Sequence, residues 1–219
     1  MTNLPVASNT AAEVFPKHPI IDMSEKIIHG MKIKFNDGTW SCEEKDITGA
    51  KFLVLHLTKI VQHWKDGQPI ETYVEGRDVL PDADALNDAI PQAEWETWDS
   101  GQPKAPWVLS YVIYMFNPES ADLYTHVNST FGLKLAYDRL ADKIKWNSAI
   151  RKQSLLPYVV LGSARMKTAH GMRTRPDLRT DNEWVSLDSP VVAQLTSAPP
   201  VKTVMPPTTE EAMGDSIPY

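Results

Sequence analysis

The chain has 219 residues, 42% of them hydrophobic, and a formal net charge of −6 at pH 7. That length and composition exclude a wholly disordered chain and leave room for one large domain with a tail. The charge argues against a uniformly basic nucleic-acid binder, and the single cysteine, Cys42, excludes an intrachain disulfide and a cysteine-built zinc site. No apolar run approaches the roughly 20 residues of a membrane helix, and the first 30 residues lack the basic start and apolar stretch of a secretory signal. A cytoplasmic protein without membrane attachment is the expectation.

Residues 1–25 (MTNLPVASNTAAEVFPKHPIIDMSE) hold three prolines and little periodicity, which predicts an extended arm. The domain proper is expected over residues 26–188. Strands are predicted at Met31 to Phe35, Lys51 to His63, Glu71 to Val74, Trp107 to Phe116 and Leu123 to Asn128, because β-branched and aromatic residues dominate there. Asn36-Asp37-Gly38 and Lys65-Asp66-Gly67 lie between apolar runs and are hairpin signals.

Ten acids fall from Asp66 to Asp99, and LPDADALNDAIPQAEWETWDSGQPKAPW (80–107) reads as a long acidic excursion with at most one short helix. STFGLKLAYDRLADKIKWN is the clear helix: Leu133, Tyr137, Leu140 and Ile144 recur at helical spacing, and Ser129 or Thr130 is a candidate cap. PYVVLGSAR (157–165) then reads as a strand, MKTAHGMRTRPDLRT as a basic loop, and EWVSL as a last short strand. The charge balance reverses here, since the stretch from Asn147 to Thr180 carries seven Arg and Lys against Asp177. The fold expected is a β-rich α+β domain, an oligonucleotide-binding (OB-like) antiparallel barrel or sheet with one long helix.

Binding a single strand without sequence preference needs a basic track for phosphates and aromatic faces for bases. Trp40 and Trp64 beside hairpin turns, Lys65, and the cluster Trp146, Arg151, Lys152 and Tyr158 combine the two. Arg165, Lys167, Arg173, Arg175 and Arg179, spread along the basic segment with few opposing acids, are the phosphate candidates. For each aromatic, burial in the core is the competing reading.

Enzyme signatures are absent: there is no phosphate-cradling glycine loop, no Gly-x-Ser-x-Gly elbow and no His-Glu-x-x-His pair. Neither a cofactor nor a metal site is expected. Asp82, Asp84 and Asp88 form the one acidic cluster from which a metal-dependent nuclease reading can be built. Cys42 sits beside Glu43 and Glu44, which disfavours a reactive thiolate.

Residues 189–219 read as a flexible proline-rich linker ending in an acidic tail, …EEAMGDSIPY, expected to be disordered. Asp215, Ile217, Pro218 and Tyr219 resemble the Asp-Ile-Pro-Phe ending of bacterial single-stranded DNA-binding proteins, with Ser216 interrupting the acidic run and Tyr in place of Phe. The resemblance covers about the last ten residues, and the body does not match that family. It implies a protein that coats single-stranded DNA and recruits replication, recombination and repair proteins through its tail, in a bacterial cell or a phage-infected host. The alternative is an interaction or recombination-accessory module that reaches DNA only through partners. A homo-oligomer is left open.

Overall fold

A computed structural model of the chain describes residues 26–169 and 171–187, with Ser189 and Val192. The arm 1–25 and the tail residues Asp215, Ile217, Pro218 and Tyr219 lie outside the described residues. The domain is a β-rich α+β fold of eleven strands and two α-helices.

Two tight hairpins start it. β1 (Met31–Asn36) turns into β2 (Thr39–Cys42), and β4 (Lys51–Lys65) into β5 (Gln68–Val74). Both turns use left-handed residues, with φ of 46° and 93° at Asp37 and Gly38 and 53° and 74° at Asp66 and Gly67. That is the turn whose twist matches the strands it joins. β3 (Lys45–Asp46) pairs with β2. β8 (Trp107–Asn117) and β9 (Asp122–Asn128) form a third hairpin beside β4.

The segment predicted as a basic loop is instead a long hairpin, β10 (Leu155–Thr168) with β11 (Gly171–Ser186). Backbone pairing continues from Leu155 to Thr168, so the ladder carries the strand past the buried residues to where half-buried Ala164 and Met166 alternate with exposed Ser163, Arg165 and Lys167. The final strand expected at EWVSL is the end of this same β11.

The main sheet runs β11-β10-β4-β8-β9-β1-β2-β3, with β5 also on β4. β1 lies parallel to β9. The sheet curls until β2 approaches β10: Trp40 Nε1 donates to the Gly162 carbonyl at 2.7 Å, and Gly49 N–H to Leu161 O at 2.8 Å. Residues of β4 and β8 alternate between two cores, one face carrying Phe52, Val54, Ile113 and Met115 and the other Leu53, Val112, Tyr114 and Phe116. Burial on both faces is why these strands read as continuous apolar runs.

Helix α2 (Phe131–Arg151) is about 31 Å long. The Thr130 hydroxyl accepts from Leu133 N–H at 3.3 Å and caps it. Leu133, Tyr137, Leu140 and Ile144 face the first core, as their spacing predicts. Gly132 lets the helix approach β11, since a Cβ there would stand 2.9 Å from Arg175 Cβ. The helix ends at Lys152 with φ of 53°, a conformation that favours glycine.

The acidic excursion is ordered. Asp82 caps the short helix α1 (Ala83–Asp88), a single 3-10 turn follows at Gln92–Glu94, and β6 (Glu96–Thr97) pairs with β7 (Pro103–Lys104). Asn87 fastens α1 to β8 at two points, accepting from Trp107 N–H and donating to Trp107 O, both at 2.9 Å.

Candidate nucleic-acid interface

α2 and β11 run side by side and leave a groove between them. Its floor is apolar, from Ala136, Leu140 and Leu178; Arg139, Lys143, Arg179 and Thr180 line its walls with Asp142 and Asp177. Lys143 Nζ donates to Thr180 Oγ1 at 3.0 Å across the groove. Asp177 is engaged elsewhere, 3.6 Å from Arg175 Nη1, which leaves the cations in excess along the walls. Gly162 makes room for Arg179, because an added Cβ would lie 3.0 Å from Arg179 Nε.

On α2 the lining of the groove ends at Lys143. Trp146 follows Lys143 by three residues and Ile150 follows Trp146 by four, so one helix face continues the cationic wall into an apolar step. Trp146 is 68% exposed and Ile150 72%. Lys145, Arg151 and Lys152 are their neighbours in the chain and are exposed. An exposed indole with exposed cations close by in the chain offers a face for a base with donors for the flanking phosphates.

At the other end stand the exposed hairpin cations Arg165, Lys167 and Arg173. Residues 163–176 contain no acid. A strand backbone places these side chains at regular spacing on both faces of a projecting ribbon. That differs from the irregular loop the sequence predicts.

Several expected site residues lie elsewhere. Trp40 is fully buried, its ring edge-on to Phe35 and to His126, so it presents no face to a base; the stacking expectation for it is corrected by the hairpin folding inward. Arg175 is only 5% exposed and donates to Pro176 O at 2.8 Å, so it is a structural cation beneath α2 and not a phosphate contact. Trp64 and Lys65 sit at the far end of β4, eleven residues from the Leu53–Tyr158 pair, about 36 Å along the strand. They do not join the α2–β11 groove. Tyr158 is half-buried, and Lys51 Nζ lies 4.9 Å from its ring centroid, so the chain's own cation occupies one face. Lys51 is held in turn by Glu183 and Asp181, and the Glu183 hydrogen bond raises its pKa.

The groove cations Arg139 and Lys143 were not singled out by the sequence reading. Their signal is two cations one turn apart on the helix face that leads to Trp146, masked by Asp138 and Asp142, each the residue just before one of them.

Neither alternative chemistry gains a cluster. Asp82 accepts from Asp84 and Ala85 N–H as a helix cap, and among the described residues no group of three or more His, Cys, Asp or Glu is placed to hold a metal. Cys42 is buried, and burial first and Glu43 second push its thiol pKa up. Among the described residues no helix is long and apolar enough to cross a membrane.

The groove and its exposed indole define a β-rich α+β domain with a basic, aromatic-ended surface. The chain matches no protein-family model, no curated protein and no solved structure.

Proposed function

We propose that this chain is a single-stranded DNA-binding protein that coats the strand without sequence preference and recruits replication, recombination and repair proteins through its C-terminal tail. The observation that carries the reading is the groove walled by Arg139, Lys143 and Arg179 that leads to the exposed Trp146. Phosphates lie along the cationic wall and a base stacks on the indole; each such stack contributes about 1 to 3 kcal/mol. The curled sheet carrying a helix supports an OB-like body in a version with its own strand order.

The tail supports the second half of the function. Ile217 and Tyr219 supply apolar anchors, Pro218 limits the freedom lost on docking, and Asp215, Glu210 and Glu211 draw the peptide toward a basic pocket on a partner. The tyrosine hydroxyl requires a polar group or water in that pocket.

The test is a titration of intrinsic tryptophan fluorescence with a thymidine homopolymer at low and moderate salt, for the full chain and for one ending at Ser197. Salt-sensitive quenching that is equal or stronger without the tail supports the reading. No change in either chain refutes it.

A further inference from the structure

The two charged regions of this fold point away from each other. β10 leaves β4 at the Val160–Lys51 pair and runs eight more residues to Thr168, about 26 Å of strand. β4 runs the opposite way from Lys51 to Trp64, thirteen residues or about 43 Å. The first direction ends in the hairpin tip with Arg165, Lys167 and Arg173. The second ends in the acidic region of β5, β6 and β7, where ten acids from Asp66 to Asp99 face Lys65, Arg77 and Lys104.

Each end also exposes apolar surface. Met172 is 60% exposed at the tip, and Trp98 and Ile70 are 56% and 58% exposed at the acidic end. Lys104 Nζ already sits 5.2 Å from the Trp98 ring centroid, so this indole accepts a cation over its face. Glu94 and Asp99 stand exposed on either side of Trp98 in sequence. Basic-apolar and acidic-apolar surfaces of this kind are complementary, yet strand direction turns them apart within one chain.

We propose that the basic tip of the β10–β11 hairpin docks on the acidic, Trp98-bearing end of a second copy of this chain, and that the contact repeats head to tail. A contact between two different surfaces at opposite ends builds an open row instead of a closed pair. The tip, not the α2–β11 groove, makes the contact, so association is measured without nucleic acid and stands or falls apart from the strand-binding reading.

The test is sedimentation of the full chain at about 0.01 M salt, where the Debye length is about 30 Å, and at about 1 M, where it is about 3 Å. The expected result is a weight-average mass that climbs past two protomers with concentration at low salt and falls to one at high salt. Lys167→Glu with Arg173→Glu is expected to be monomeric alone, as is Glu94→Lys with Asp99→Lys. An equimolar mixture of the two is expected to regain the row, because each reversed surface then meets its complement; that recovery also shows both variants are folded. A wild-type chain that stays monomeric or stops at a dimer, or a double variant that alone climbs past one protomer as the wild type does, overturns the proposal. So does a mixture that stays monomeric when both variants melt like the wild type.

Discussion

Trp40 and Gly162, 122 residues apart in the chain, are joined by a 2.7 Å hydrogen bond that brings β2 against β10. The donor is a fully buried indole and the acceptor a backbone carbonyl, so the bond lies where water does not replace it. Trp40→Phe is expected to lower stability by about 2 kcal/mol or more, through an unpaired buried carbonyl and lost volume. The urea midpoint measures it; an unchanged midpoint shows that the curl is held by other contacts.

His126 makes stability pH-dependent. It is 1% exposed, its Nδ1 lies 3.1 Å from Ile33 O and donates to it, and its Nε2 has no hydrogen-bond partner. Burial, with a smaller contribution from Lys32, pushes its pKa down from 6.5 to about 4. Between those values the unfolded chain takes up a proton here and the folded chain does not, so stability falls as pH falls through the window. The loss is about 3 kcal/mol across it. His126→Gln retains a donor for Ile33 O without the titration, and urea melts from pH 7 to pH 4 are expected to be flatter for the variant by that amount.

Gly132→Ala reverses a common rule. Alanine in a helix ordinarily stabilises relative to glycine by about 1 kcal/mol. Here the added methyl meets Arg175 Cβ at 2.9 Å, with Met166 Cε at 3.5 Å, so a net destabilisation of about 1 to 3 kcal/mol is expected. Thermal melts of the two proteins decide the sign.

The groove cations are expected to act alike on every sequence. Lys143→Ala and Arg179→Ala each weaken homopolymer binding and make the plot of log affinity against log salt shallower by about 0.7, the value for one phosphate on a single strand. Arg175→Met is the contrast: the cation is buried beneath α2, so the variant loses stability and keeps the salt slope. A slope unchanged by Lys143→Ala and Arg179→Ala places the phosphates elsewhere.

Trp146→Ala separates binding from folding. The ring is 68% exposed, so stability stays within about 0.5 kcal/mol of the wild type. Affinity for a thymidine homopolymer is expected to drop by about 1 to 3 kcal/mol, with most of the quenching lost. Full quenching in the variant assigns the stacking to another indole.

The parts legible in the sequence are those set by neighbours in the chain. Asp37-Gly38 and Asp66-Gly67 specify their turns through φ alone, and the Leu133–Ile144 periodicity specifies the buried face of α2. The β10–β11 hairpin is hard to read beyond Arg165 because only Met166, Lys167 and Thr168 remain before the turn and the alternation there is between exposed and merely half-buried side chains; the ladder begun at Leu155 extends it. Trp107 opens an apolar run, yet it lies half-buried and stacked on His63 at 4.5 Å, because Asn87 fixes its backbone at the sheet's end. Trp40 read as exposed because its turn is polar, and only pairing with a strand 122 residues away turns it inward. The groove is legible in part: Trp146, Arg151, Lys152 and Arg179 are visible as residues, while their alignment with Arg139 and Lys143 depends on α2 lying along β11.

The parallel pairing of β1 with β9 sets the order in which this chain is able to fold. Ile33 and His126 are 93 residues apart, and closing a loop of that length costs about 4 kcal/mol of chain entropy before the pairing returns anything. The β1–β2 hairpin therefore forms early and waits, one edge unpaired, until β9 has left the ribosome, and the Trp40 bond waits longer for β10. Refolding is expected on the slow, millisecond-to-second side of small domains. Lys32 and Lys34, both exposed on β1, keep that waiting edge charged and so discourage neighbouring nascent chains from pairing with it.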